Sequence, residues 1–121
     1  MISFASVVAF LISAAAGQPQ LQVYPQSGLR DAPYQKHVFE KVAKSFQVPR
    51  SMPDIGKKAV VQAIVDRQGQ LLSTSVSYSS QHKAWDAAAL RAVKKAAPFM
   101  KLPPSFQGTT LEIHFHFSVE R

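Results

Sequence analysis

Residues 111–119 read LEIHFHFSV, and their alternation constrains this chain more than any other feature. Leu111, Ile113, Phe115, Phe117 and Val119 are apolar, and Glu112, His114, His116 and Ser118 between them are polar. Successive side chains of an extended chain point to opposite faces, so a period of two marks a strand with one face on a core and one in water. Such a strand needs neighbours for its backbone groups and a covering layer for its apolar face.

The rest of the sequence offers both. Over residues 34–47 the apolar positions Tyr34, Val38, Val42 and Phe46, flanked by Phe39 and Ala43, have helical spacing. Asp31 and Pro33 suit a helix start, and Pro49 forces Val48 out of the helical region. Glu40 and Lys44 are ordered for an i,i+4 pair. After the broken stretch 52–56, KAVVQAIVD (58–66) and LLSTSVSY (71–78) read as two strands. Between them Arg67-Gln68-Gly69-Gln70 carries the glycine of a short hairpin loop. Ser79 and Ser80 offer an N-cap to a second helix with Trp85, Ala89, Ala92, Val93 and Ala96 on one stripe. Asp86 in its first turn and Lys94-Lys95 in its last suit the helix dipole, and Pro98 stops it. Pro103, Pro104 and Gly108 mark a loop. The order α-β-β-α-β predicts an α+β fold: a small three-stranded antiparallel sheet with two helices packed on one face and its other face polar and open.

A chain of 121 residues has room for one domain, residues 34–121 on this reading. Residues 1–16, MISFASVVAFLISAAA, form an apolar stretch of about 15 residues, short of the roughly 17–25 that span a bilayer. Ending in small alanines, it reads as a signal peptide cut after Ala16, with an uncleaved short membrane anchor as the alternative. Either places the domain across a membrane, free or tethered to it, with membrane contact through the N-terminal segment. Residues 17–33, punctuated by Pro19, Pro25, Gly28 and Pro33, are expected to be a flexible arm.

Nothing in the chain assembles a catalytic site. There is no cysteine, and therefore no thiolate metal site or thiol nucleophile. His114 and His116 share a strand face, but a closed zinc site takes about four ligands, and only His37 and His82 remain to complete one. The expected reading is a polar row facing solvent, with a His-dependent metal-binding protein as an alternative. Ser79, Ser80, His82 and Asp86 lie too close along one helix start to form nucleophile, base and orienter, and no Gly-x-Ser-x-Gly elbow is present. The seven carboxylates are scattered, and no glycine-rich phosphate loop occurs. Trp85 reads as a core anchor. The net charge of +7 falls entirely from Arg30 onward and favours anionic partners. Cations never run beyond a pair and do not interleave with aromatics, which argues against nucleic acid. The expectation is a binding protein, not an enzyme, with no cofactor.

From Tyr34 onward the sequence also resembles the TonB/TolA C-terminal domain family, in the form found in energy-transducer TonB proteins. The likeness rests on AIVDRQGQL (63–71), SVSYSS (75–80), WDAAALRAVKKAAPF (85–99), the Leu102-Pro103-Pro104 step and the closing FHFSV. It implies the same helix and strand arrangement, a place in the periplasm, free or tethered to the inner membrane, and a protein-binding function linked to envelope transport. The partner would be an envelope protein, an outer-membrane receptor or a transport component, whose extended segment adds as a strand to an exposed last strand. Carried over, the site is the edge at Leu111, Glu112, Ile113, His114, Phe115, His116, Phe117, Ser118 and Val119. Homodimerisation through that edge is the competing use of it. Gln81 stands where the family usually has glycine after the paired serines. Full transducers add a polar membrane helix and a long spacer, whereas the arm here reaches only about 50 Å fully extended. A membrane-tethered accessory of cell-envelope assembly, binding anionic wall or lipid, is therefore the alternative function.

Overall fold

The computed structural model describes residues 17–121, so the signal or anchor reading of residues 1–16 lies outside the described residues. The elements run β1 (Gln18–Pro25), α1 (Ala32–Ser45), β2 (Lys58–Asp66), β3 (Leu71–Tyr78), α2 (Lys83–Ala96) and β4 (Thr110–Glu120). They form a four-stranded antiparallel sheet in the order β1-β4-β2-β3, with both helices on one face. The α+β class and the helices stand as the sequence implies, but the sheet has four strands where three were expected.

The additional strand comes from the expected arm. Gln18–Pro25 pairs with β4 from Gln18↔Glu120 to Pro25↔Ile113. QPQLQVYP does alternate, with Pro19, Leu21, Val23 and Pro25 on one face and Gln18, Gln20, Gln22 and Tyr24 on the other. Half of its apolar positions are prolines, which mark a loop more often than a strand.

α1 starts where Asp31 accepts the Tyr34 N–H at 2.9 Å, with Pro33 in the first turn. It buries Tyr34, Val38 and Val42 against the sheet. Phe46, just past its end, sets its ring edge-on to Trp85 (centroids 5.2 Å) and tilted against Phe117 (5.0 Å). The start of α2 differs from expectation. Its N-cap is His82, without a side-chain cap bond. The serines instead grip Asp86: Ser79 Oγ at 2.5 Å, Ser80 Oγ at 2.6 Å and Ser80 N at 2.9 Å all donate to its carboxylate.

In the β2–β3 hairpin the Asp66 side chain accepts the Gln68 and Gln70 N–H groups, each at 2.9 Å. The turn in addition anchors the proline-rich loop. Phe99 N donates to Gly69 O (2.9 Å) and Leu102 N to Arg67 O (3.0 Å). The Arg67 guanidinium reaches the carbonyls of Phe106 (2.7 Å), Gly108 (2.6 Å) and Pro103 (3.2 Å). The loop is thereby held closed over the end of the core, where Phe99 and Leu102 are buried.

Candidate functional site

The alternation of β4 separates its residues into two sets that differ in backbone direction as well as in side chain. Val119 N donates to Lys57 O, so the odd-numbered residues turn their main-chain groups toward β2. Gln26 N donates to Glu112 O, so the even-numbered residues turn theirs toward β1. Leu111, Ile113, Phe115, Phe117 and Val119 are core residues of at most 1% exposure, committed on both counts to the interior. Glu112, His114, His116 and Ser118 are the residues whose backbone groups face outward from the β4–β2 pair. Trp85 fixes the strand from within, its indole N–H donating to Phe117 O at 2.9 Å.

One feature of the expected site is corrected here. The last strand is not an exposed edge: it lies between β2 and β1, and β1 covers the line of groups that a partner strand would use. The sequence signal for this was the alternation of Gln18–Pro25, masked by its prolines.

The open sheet face carries the polar row. His114 Nε2 lies 2.6 Å from Glu112 Oε2, a half-buried contact between imidazole and carboxylate. His116 meets the Tyr24 ring edge-on (4.8 Å) and sits 3.5 Å from Lys58 Nζ. Burial first, then the Lys58 ammonium and His114, holds its pKa below the ordinary histidine value. His37 and His82 are elsewhere, accepting from Met100 N and bonding Ser51 Oγ respectively. Among the described residues no group of three or more His, Asp or Glu is placed to hold a metal ion. The described residues also contain no helix long and apolar enough to cross a membrane.

The two true sheet edges differ. Pro19, Leu21, Val23 and Pro25 turn their main-chain groups to the free side of β1, where the prolines have no N–H and the Val23 carbonyl is taken by Gln35 Nε2 at 2.8 Å. That edge is blunted against further pairing. β3 forms the other edge, uncharged, with register irregularities against β2 between Val60/Val61 and Ile64/Val65. Beside β1, a groove of about 250 Å³ runs along α1, lined by Pro19, Gln20, Leu21, Phe39, Ala43 and Phe46. Phe39 also lines a second hollow, with Val23 and Gln35, and stays 40% exposed.

The profile of the TonB C-terminal family matches residues 31–117. The chain belongs to the TonB C-terminal family. A search of curated proteins finds no match. Among solved structures, the chain is similar to TolAIII bound to a peptide derived from the N-terminus of TolB. The TM-score is 0.59 at 22% identity, over 75% of this chain and 77% of that one, a likeness of fold. The TonB C-terminal match begins at the N-cap of α1, so β1 lies outside it while pairing along the whole of β4.

Proposed function

We propose that this TonB C-terminal domain is a periplasmic receiver for an extended segment of an envelope protein, linked to envelope transport, and that the segment is held on the outer line of β4. The observation that carries the reading is β1 itself. An eight-residue extended segment already lies on that line, with Val23 buried, Leu21 half-buried and its polar residues outward. That line of β4 thus pairs with an extended segment and has a groove beside it for alternate side chains, which supports recognition by strand addition. Main-chain groups of Glu112, His114, His116 and Ser118 supply affinity. The groove along Phe39, Ala43 and Phe46 supplies selectivity. The TolAIII structure, of similar fold, also holds a peptide from another protein.

The test is photo-crosslinking in cells, with the probe at His114 or His116 on β4 and at Lys94 on α2 as the comparison. The expected result is a cross-link from the first two positions to one short stretch of one envelope protein, mapped by mass spectrometry. Cross-links to lipid, or equal yield from Lys94, would overturn the reading.

A further inference from the structure

We infer that β1 is a tethered placeholder, which occupies the β4 line in the free protein and leaves it when a partner segment with a larger apolar residue at the Leu21 position takes its place. The inference rests on the β4 reading above and adds how that line is reached.

Three features of β1 support it. First, it is an addition to a domain that is matched without it, the family profile starting at residue 31. Second, although its backbone pairs with β4 throughout, few of its side chains are buried. Val23 is its one buried residue, whereas β4 buries Leu111, Ile113, Phe115, Phe117, Ser118 and Val119. Third, it fills its slot poorly: the 250 Å³ groove beside Leu21 remains open, with Phe39, Ala43 and Phe46 on its far wall. A side chain larger than leucine at that position gains contact that β1 does not make.

The connection and the edges set the route. β1 joins α1 through a turn in which Ser27 (φ 60°) and Gly28 (φ 72°) both take left-handed conformations, close to Leu29 N donating to Gln26 O. That turn is a short hinge, and a strand on a short tether competes at an effective concentration on the order of millimolar. A partner cannot bypass β1 by pairing with its free side, because Pro19 and Pro25 remove donors there. Replacement is therefore the route to β4, and a better-fitting segment favours it.

The chain's lack of cysteine allows a reversible lock. Gln20 and Ser118 are register partners on the even-numbered face. Such a pair stands about 5.5 Å apart at Cα, within disulfide range. The protein covering residues 17–121 with Gln20→Cys and Ser118→Cys is titrated with a fluorescent peptide of residues 17–25 carrying Leu21→Phe. The expected result is weak binding when reduced and none when oxidised. A chain loosened by Val23→Asp, or by the milder Leu21→Ser should folding suffer, is expected to bind about tenfold or more tighter. Amide shifts locate the peptide. Shifts at Glu112, His114 and His116 that are equal in the oxidised and reduced protein would overturn the placeholder and leave the β4 reading standing. Binding that shifts β3 alone, or no binding even by the loosened chain, would overturn both.

Discussion

Gln81 shows how a single residue departs from what its backbone asks for. Its φ of 72° is left-handed, the region where a side chain costs about 1 kcal/mol and glycine nothing. The family's usual glycine at this place has its physical reason there. Gln81→Gly is expected to raise stability by about 1 kcal/mol in urea unfolding. Gly69 is the converse case. At φ 89° it turns the β2–β3 hairpin, and an added Cβ would meet Phe99 O at 2.0 Å. Gly69→Ala is expected to cost about 3 kcal/mol and to free the proline-rich loop, read as faster exchange of the Phe99 and Leu102 amides. Nearby, Asp86 collects three hydrogen bonds from Ser79 and Ser80. Burial works against its charge, but those bonds outweigh it and hold the carboxyl below its ordinary value of 3.8. A lowered carboxylate stabilises the fold above its unfolded pKa and loses that contribution as pH falls through the folded one. Asp86→Ala should cost about 2 kcal/mol near neutrality and flatten the acid side of the stability curve.

The elements whose period is free of prolines were legible in the sequence, and the one whose alternation is broken by prolines was not. β2 and β3 stand at Lys58–Asp66 and Leu71–Tyr78, as their β-branched runs and the Gly69 turn imply. β4 was legible as a half-buried strand, but alternation reports only which face is buried and says nothing about which neighbours flank it. That question was decided by Gln18–Pro25, whose prolines imitate a loop because a proline in a strand is tolerated only where its missing N–H faces away from the ladder. The even-numbered face formed by the two strands also carries a pH dependence. His116, beside Tyr24, Lys58 and His114, has a pKa below 6.5, and so does His37, by burial first and then Lys41, against the opposing pull of Glu40. Both rings bind a proton more readily in the unfolded chain, so stability is full above about pH 6.5 and declines as pH falls through that value. His116→Gln should reduce that decline, measured as urea midpoints between about pH 5 and 8.

For the molecule as a whole, folding the expected arm onto the sheet changes reach as well as topology. Residues 18–25 contribute no length as a spacer while they are paired with β4, so the domain lies closer to whatever precedes it than a free arm would allow. It also leaves the sheet with two parts that differ in how much they bury. The β4–β2–β3 part carries the buried core and the Trp85 anchor, while β1 contributes Val23 and part of Leu21. Sub-global opening follows such divisions, because a unit with few buried contacts opens at less cost than the whole. β4 lies on the boundary, with its even-numbered amides bonded toward β1 and its odd-numbered ones toward β2. Native-state hydrogen exchange should therefore alternate along one continuous strand. The amides of Glu112, His114, His116 and Ser118 should exchange together with those of Gln20, Gln22 and Tyr24, by release of β1 alone. Those of Ile113, Phe115 and Phe117 should exchange only on global unfolding. Denaturant separates the two classes: the first should depend weakly on urea, since little surface opens, and the second with the full slope of unfolding. Uniform protection along β4 would mean that β1 opens only with the core, and that the four strands form one cooperative unit.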